Sequence, residues 1–256
     1  MMKFFRNIII VFLFLFATKQ AMSQMSTEEF ATVEDSIIYN KFLTYGATFH
    51  NLGLGVRFRW GKRLNVYSNR FFEVEVQSLR SWKRLKLVNP YVINPKGYIY
   101  GKVNSAFVMH FGIFKDKRLN RKPNFEKGVE LRWLYGGGFS LGVAKPYYLY
   151  VIYFYGMYEY RIESEKFDPD PSWDDIYGRA PFTKGFDELS FYPGLYFKMG
   201  LNFEYGRKKT KINSLEVGGA LDILPTGLTI MYGQDNRIFF PTMYITLSFG
   251  KRYNKY

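Results

Sequence analysis

Segments in which apolar and polar residues alternate recur along this chain from Tyr45 onward, and charged or turn-forming stretches separate them. The clearest segment covers about residues 129–144, where Leu131, Trp133 and Tyr135 alternate with small or charged residues. Successive side chains of a β-strand point to opposite faces, so this period of two predicts strands with one apolar and one polar face.

Eight such segments can be delimited in the sequence. They cover about residues 45–60, 71–79, 102–114, 129–144, 147–161, 192–205, 212–223 and 238–251. Repeated amphipathic segments of this kind are typical of membrane β-barrels. The predicted fold is therefore all-β: an antiparallel transmembrane β-barrel of about eight strands that occupies residues 45–256.

Alternation alone does not show which face of a barrel is inside, and a soluble lipocalin-like barrel turns its apolar face inward. Two features favour the membrane barrel: the glycine-rich small face of the 129–144 segment, and aromatic residues near segment ends, such as Tyr147, Tyr148 and Tyr205. Composition agrees, because 20% of the residues are aromatic while the mean hydropathy is only -0.21. That balance disfavours a bundle of membrane helices.

The first residues have the pattern of a signal peptide. Lys3 and Arg6 precede an apolar run at residues 8–16, which is too short to span a membrane, and Ala21 and Ser23 supply small residues before Gln24. We therefore predict a cleaved signal peptide at residues 1–23, an N-terminal periplasmic segment at residues 24–44, and a location in the outer membrane.

The chain has a net charge of +14 and no cysteine. Disulfides and cysteine metal sites are thereby excluded. An exported basic protein meets anionic lipid, and nothing in this sequence resembles a nucleic-acid-binding module. The expected partners are outer-membrane lipid and anionic glycolipid, with no nucleic acid and no cofactor.

The connections between the segments predict the orientation, because membrane barrels have short periplasmic turns and longer outer loops. If the first segment runs outward, the long connections at residues 116–128, 162–190 and 224–237 lie outside. Anionic glycolipid would then contact Arg118, Arg121 and Lys122. The connection at residues 81–101 is long although it is predicted to lie on the periplasmic side. Three interpretations are open: it contains a short strand pair, it docks a periplasmic or membrane protein partner, or it packs beneath the barrel.

The polar faces of the segments predict a mixed-charge lumen. Its predicted members are Glu73, Glu75, Glu130, Arg132, Lys198, Glu204 and Glu216. Eight strands enclose a space that side chains just fill, so a salt-bridged interior without conductance is the favoured interpretation. A narrow pore for small solutes is an alternative. The favoured role is a structural, adhesive or accessory one, as a monomer or as a subunit of an outer-membrane complex.

A lipid-active hydrolase or acyltransferase is the alternative from a different class. His110 and Glu130 are predicted at the same end of neighbouring strands, and a histidine oriented by a carboxylate is part of a nucleophilic relay. No serine motif accompanies them, so a polar or packing histidine is the competing interpretation. The periplasmic end of the first strand is the predicted place of His50.

An acidic stretch lies in the connection after the fifth segment. Its candidate calcium ligands are Asp168, Asp170, Asp174 and Asp175, because clustered carboxylates suit that cation. The spacing and the glycine of a standard calcium loop are missing, and a solvated outer loop is the favoured interpretation.

Three stretches resemble a family of outer-membrane β-barrel proteins from Bacteroidota. They are residues 46–55 with His50-Asn51, residues 98–104 (YIYGKVN), and residues 135–148 (YGGGFSLGVAKPYY), of which the last is the most specific. The resemblance covers most of the chain that follows the predicted signal peptide. It implies a fold and a location but brings no activity and no functional residues.

Overall fold

A computed structural model of the protein describes residues 39–81, 84–91, 96–120, 128–156, 159–167, 175–206, 210–233 and 237–254. The predicted signal peptide and most of the predicted segment 24–44 lie outside these residues. Within the described residues, no helix is long and apolar enough to cross a membrane.

The described chain is built from β-strands. In chain order they are β1 (Lys41–His50), β2 (Gly53–Arg63), β3 (Ser68–Leu79), β4 (Leu85–Leu87), β5 (Tyr98–Tyr100), β6 (Asn104–Asn120), β7 (Glu130–Pro146), β8 (Tyr148–Phe154), β9 (Tyr160–Lys166), β10 (Ile176–Arg179), β11 (Ser190–Glu204), β12 (Lys211–Leu228) and β13 (Arg237–Tyr253).

Strands β1, β2, β3, β6, β7, β11, β12 and β13 form one closed antiparallel barrel, in which β13 pairs with β1. The predicted barrel of about eight strands is confirmed. Two smaller sheets interrupt the sequence of barrel strands: β4 pairs with β5, and β8 lies between β9 and β10.

The predicted number of barrel strands agrees with the structure, but two of the predicted strands were wrong. Residues 45–60 form two strands, β1 and β2, joined by a turn at Asn51 and Leu52. The signal for that turn is a change of phase: the exposed apolar positions are Tyr45 and Phe49 before it and Leu54 after it. Residues 147–161 do not belong to the barrel, because β8 and β9 lie in the separate three-stranded sheet.

The barrel carries its apolar side chains on the outside. On β13, Met243 and Ile245 are 76% and 49% exposed, whereas Tyr244 and Thr246 next to them are buried. A continuous apolar exterior around a charged interior suits a bilayer and not water. The soluble barrel is therefore excluded, and the predicted location in the outer membrane is confirmed.

The two ends of the barrel differ. The start of β1 and the end of β13 lie at one end of the barrel, called here the terminal end. The facing strand ends there are Arg63 and Ser68, Asn120 and Glu130, and Glu204 and Lys211. The opposite end, called the loop end, carries β4, β5 and β8 to β10. Because such barrels keep both termini and short turns in the periplasm, the terminal end is periplasmic and the loop end faces outward.

This orientation corrects two predictions. Leu79 and Asn104, the barrel strand ends that flank residues 81–101, lie at the loop end, so this connection does not face a periplasmic partner. Asn120 and Glu130, which close the predicted outer connection at residues 116–128, lie at the periplasmic end. The cause is the missed turn at Asn51, which reverses the direction of every barrel strand from β3 to β7.

Candidate functional site

A network of ion pairs fills the centre of the barrel. Arg57 and Arg59 of β2 both reach Glu216 of β12, with Nη1 to carboxylate oxygen distances of 2.7 and 2.5 Å. Arg59 also donates from Nε to Glu73. Residues two apart on a strand point to the same side, which is why both arginines face inward.

Lys198 of β11 completes this central network from the opposite wall. Its Nζ lies 2.9 Å from Glu73 and 2.7 Å from Glu75, both on β3. Three cations therefore face three carboxylates, and each of these six side chains is at most 5% exposed. A buried charge costs several kcal/mol unless it is paired, so the balance of the two signs is what makes this interior stable.

Hydroxyl groups satisfy the remaining acceptors and donors of the central network. Tyr244 donates to Glu216 over 2.9 Å, and Thr48 donates to Glu75 over 2.6 Å. Ser248 accepts from Arg57 over 2.6 Å. Every carboxylate of the network thus accepts at least two hydrogen bonds, which fixes its position.

A second network lies at the terminal end. Arg132 contacts Asp116 at 2.9 Å and Glu130 at 2.5 Å. Arg118 contacts the same Glu130 at 3.1 Å. Arg252 of β13 contacts Glu204 of β11 at 2.5 Å.

The structure thus places the seven predicted lumen residues inside the barrel, divided between two networks. Glu73, Glu75, Lys198 and Glu216 lie in the central one, and Glu130, Arg132 and Glu204 lie in the terminal one. Arg57, Arg59, Asp222 and Tyr244 also face the lumen but are absent from the predicted set. Their signal was present: Arg57, Arg59 and Tyr244 alternate with exposed apolar neighbours, and Asp222 lies between the half-buried Leu221 and Ile223.

The predicted outer glycolipid contact is wrong for Arg118. This side chain lies inside the periplasmic end of the barrel with Glu130, and the reversed direction of β6 is the reason. Arg121 and Lys122, the other two predicted contacts, lie outside the described residues.

A layer of four apolar side chains, three of them aromatic, separates the two networks. Phe71, Phe114, Leu134 and Tyr196 are buried together, and the rings of Phe71 and Phe114 stack at 5.7 Å. Glycines provide the space, because a Cβ atom at Gly112 would lie 2.6 Å from the Tyr196 hydroxyl.

His110 lies inside the barrel, in the half nearer the loop end. Its Nε2 is 2.6 Å from Asp222, and its ring stacks on Tyr196 at 4.3 Å. Glu130 lies at the other end of the barrel, so the predicted pair of His110 and Glu130 is wrong. His50 ends β1 at the loop end, not at the periplasmic end as predicted.

The neighbours of His110 do not form a nucleophilic relay. Ser140 is opposite His110 in the β6–β7 register, but its hydroxyl makes no hydrogen bond within the described residues. Both side chains are buried in the lumen, away from the exterior where lipid lies. The arrangement is that of an interior polar pair.

An apolar plug closes the loop end of the lumen. Its buried members are Leu52, Leu79, Ala106, Val108, Ala144, Leu224, Leu228, Ile230, Met231 and Phe240. Residues 229–232 cross the mouth and pair with residues 101–104, through bonds such as Tyr232 N to Gly101 O at 2.7 Å. Gly101 has a φ of 72° at this crossing, a conformation that favours glycine.

The two smaller sheets pack together on the outer side. Tyr98 of β5, Leu149 of β8 and Ile176 of β10 form their common apolar core, and Asn89 donates to the Ile176 carbonyl over 2.9 Å. The loop end is therefore an ordered structure with its own core, called here the outer cap (β4, β5 and β8 to β10).

Cations gather where the outer cap meets the barrel. Their side chains belong to Arg80, Arg84, Lys102, Lys145 and Arg179, called here the outer basic cluster. Lys145 donates to the carbonyl oxygens of Phe182 and Lys184 over 2.8 and 2.7 Å. Within the described part of the chain, none of these cations forms an ion pair with a carboxylate.

Lys102 shows the electrostatic consequence. Burial, with the positive charges of Lys145, Arg80, Arg84 and Arg179, lowers the pKa of Lys102 to about 8. Its Nζ lies 4.6 Å from the centre of the Tyr147 ring, a cation–π contact that only partly offsets this repulsion.

The predicted calcium ligands Asp168, Asp170 and Asp174 lie outside the described residues, and Asp175 directly precedes β10. Within the described ranges, no group of three or more His, Cys, Asp and Glu residues is arranged to hold a metal ion.

No family model and no curated protein match the chain. Among solved structures it is similar to Ail, the attachment invasion locus protein of Yersinia pestis, at 10% identity and a TM-score of 0.39, over 84% of this chain and 100% of that one. Ail in complex with the heparin analogue sucrose octasulfate gives 10% identity and a TM-score of 0.40 over the same shares. Neisserial surface protein A is 11% identical to the chain, with a TM-score of 0.36, over 84% of this chain and 96% of that one. At these identities and TM-scores, the likeness carries no conclusion about function.

Proposed function

We propose that this protein is a non-conducting outer-membrane barrel with an adhesive or accessory role, and that its outer cap binds anionic glycans. The observation that carries the proposal is the contrast between the two parts of the molecule. The lumen is filled and its charges are paired, whereas the outer basic cluster has cations without carboxylate partners.

The filled lumen supports the non-conducting part of this proposal. Along the barrel, the terminal network, the aromatic layer, the central network and the apolar plug follow one another. The space inside eight strands holds little more than such side chains. The enclosure of His110 and Asp222 in the lumen favours a structural role for this pair.

The outer cap supports a binding role. Cations that face one another without anions repel, and a ligand with several negative groups would relieve that repulsion. The sulfates and carboxylates of surface polysaccharides, or the phosphates of glycolipid cores, have this chemistry. The resemblance to a Bacteroidota barrel family stays a prediction and adds no ligand.

The first expected result is binding of a compact polyanion by the outer cap. Sucrose octasulfate is the probe, added to the detergent-solubilised full-length protein in a calorimeter at low and high salt. The variant replaces Arg80, Arg84, Lys102 and Arg179 by Gln. If each cation contributes about 0.5 kcal/mol, the Kd rises roughly thirtyfold.

The matched control replaces by Gln the same number of exposed cations outside the outer basic cluster, namely Lys117, Arg161, Lys166 and Arg237. This control should bind the octasulfate with the wild-type Kd. Absence of binding by the wild-type protein at low salt, or an equal loss in both variants, would contradict the proposal.

The same binding should depend on pH because of Lys102. As pH rises from 7 to 9, through the lowered pKa of about 8, this side chain loses its proton and one attractive charge disappears. The Kd is expected to rise roughly twofold, for about 0.5 kcal/mol lost. The Lys102→Met variant should bind more weakly at pH 7 and show little further change up to pH 9, which titration calorimetry at both pH values measures.

The lowered pKa also fixes the sign of the effect on stability. Between about pH 8 and the ordinary lysine value of 10.5, the unfolded chain holds a proton on Lys102 that the folded chain has lost. Stability therefore rises with pH across this window. An equal rise in the wild type and in Lys102→Met, measured by urea titration across this window, would place the cause elsewhere.

A further inference from the structure

A row of cations follows the outer surface of the barrel at the terminal end. Lys41 of β1 is paired in register with Lys62 of β2, Lys62 with Arg70 of β3, and Arg70 with Lys115 of β6. These four residues are called here the basic row. Four adjacent strands thus present positive side chains at directly opposite positions.

The basic row points away from the lumen. Gly61, Phe71 and Phe114, which are chain neighbours of its members, are buried, while Lys62, Arg70 and Lys115 are exposed. Another such pair, Lys211 opposite Lys251, lies at the same end on β12 and β13.

Like charges at opposite positions of neighbouring strands destabilise a sheet. Within the described residues, no carboxylate forms an ion pair with any member of the basic row. The row therefore differs from the two lumen networks, in which each cation has a carboxylate partner, and it needs anions from outside the protein.

An apolar row lies directly beside the basic row, two residues nearer the centre of the barrel. It consists of Leu43, Trp60, Phe72 and Ile113, which are paired in register in the same order. Trp60 and Ile113 are 58% and 62% exposed. Two residues of a strand span about 7 Å.

This step of about 7 Å marks the edge of the hydrocarbon layer. Exposed Trp60 and Phe72 on one side of it suit lipid chains or their boundary, and lysine side chains on the other side suit the headgroups. The basic row therefore lies at the depth of the lipid phosphates.

The same four strands carry no such row at their other end. There the outward residues are Phe49, Leu54, Ser78 and Phe107, none of which is charged. Among these four strands, a row of cations in register is thus found only at the terminal end, which the orientation makes the periplasmic one.

We propose that the basic row binds the phosphate groups of anionic phospholipids in the periplasmic leaflet. Neighbouring strands are about 4.8 Å apart, so its four members extend over about 14 Å and can engage more than one headgroup. The proposal is independent of glycan binding by the outer cap, which lies at the other end.

The test measures lipid retention by native mass spectrometry of the full-length protein. The protein is taken from mixed vesicles of phosphatidylcholine and phosphatidylglycerol into detergent, and retained lipids are counted. The wild type should retain phosphatidylglycerol in preference to phosphatidylcholine. In a variant with Lys41, Lys62, Arg70 and Lys115 replaced by Gln, the ratio of retained phosphatidylglycerol to retained phosphatidylcholine should fall at least tenfold.

A matched variant changes the same number of exposed cations at the loop end, outside the outer basic cluster: Lys86, Lys96, Arg161 and Arg237 to Gln. It should keep the wild-type preference. Inorganic phosphate should not remove the retained lipid at concentrations that leave the barrel folded, because the apolar row holds the acyl chains. Equal preference in all three proteins, or complete displacement by inorganic phosphate, would overturn the proposal.

A second measurement does not depend on the folding of the quadruple variant. Trp60 lies in the apolar row, so its fluorescence should be quenched more by brominated phosphatidylglycerol than by brominated phosphatidylcholine, in a protein whose other tryptophans are replaced by Phe. Replacing Lys41, Lys62 and Lys115 by Arg should preserve this difference. Equal quenching by the two lipids would contradict the proposal even if the glutamine variant does not fold.

Discussion

Replacing Glu216 by Gln is expected to destabilise the folded barrel by about 3 to 5 kcal/mol. Glu216 accepts hydrogen bonds from Arg57, Arg59 and Tyr244, and its side chain is completely buried. A neutral amide leaves two buried guanidinium groups with too little negative charge nearby. The loss is measured by urea titration of the protein in lipid vesicles, with the heat-modifiable gel mobility as the readout of folding.

Glu204 provides the matched control for this change. It also pairs with an arginine inside the barrel, but the side chain of Arg252 is 23% exposed at the rim. Solvent screens such a pair, so Glu204→Gln should cost about 1 kcal/mol or less. If both variants lose the same stability, the charge balance of the central network is not what holds the lumen together.

This expectation depends on ion pairs that could not be predicted from the sequence. Arg59 and Glu216 are 157 positions apart, and Lys198 and Glu75 are 123 apart. Alternation within one strand shows that each of these side chains faces the polar side. Which of them meet depends on the order of the strands and on their stagger around the barrel, and no local pattern encodes these.

The predicted direction of β3, β6 and β7 was wrong because a single turn was missed. The apolar positions change from Phe49 to Leu54 across Asn51, and a strand with a period of two cannot change phase without a turn or a bulge. Reading residues 45–60 as one strand reversed β3, β6 and β7 and put Arg118 and His110 in the wrong surroundings. The total of eight strands concealed the error, because the 147–161 segment had been counted in place of the missing strand.

The aromatic character of the 147–161 segment was the signal against its place in the barrel. Tyr150 and Tyr153 lie on opposite faces of β8, and Phe154 is 70% exposed at its end. A barrel strand needs one face that fits the narrow lumen, as the glycines of β7 do. A strand that is bulky on both faces suits the outer cap, where one side packs on a small core and the other meets solvent or a ligand.

Replacing Gly138 by Ala is expected to cost about 3 kcal/mol or to prevent closure of the barrel. Gly138 lies on the inward face of β7, and an added Cβ atom would overlap Gly112 Cα and the carbonyl group of Phe111 on β6. These are backbone atoms of the neighbouring strand, so they cannot move aside without shifting the strand itself. The loss is measured as the fraction of protein that folds into vesicles and resists unfolding by urea.

Gly142 is the control on the same strand and the same inward face. A Cβ atom there would be 3.2 Å from Cβ of Tyr192, and the next neighbours are at 3.4 Å. A displacement of a few tenths of an ångström accommodates it, so Gly142→Ala should change stability by less than about 1 kcal/mol. Similar folding of both variants would show that the inward glycines are not required by the close approach of β6 and β7, and the space they leave for Phe114 and Tyr196 would then need another explanation.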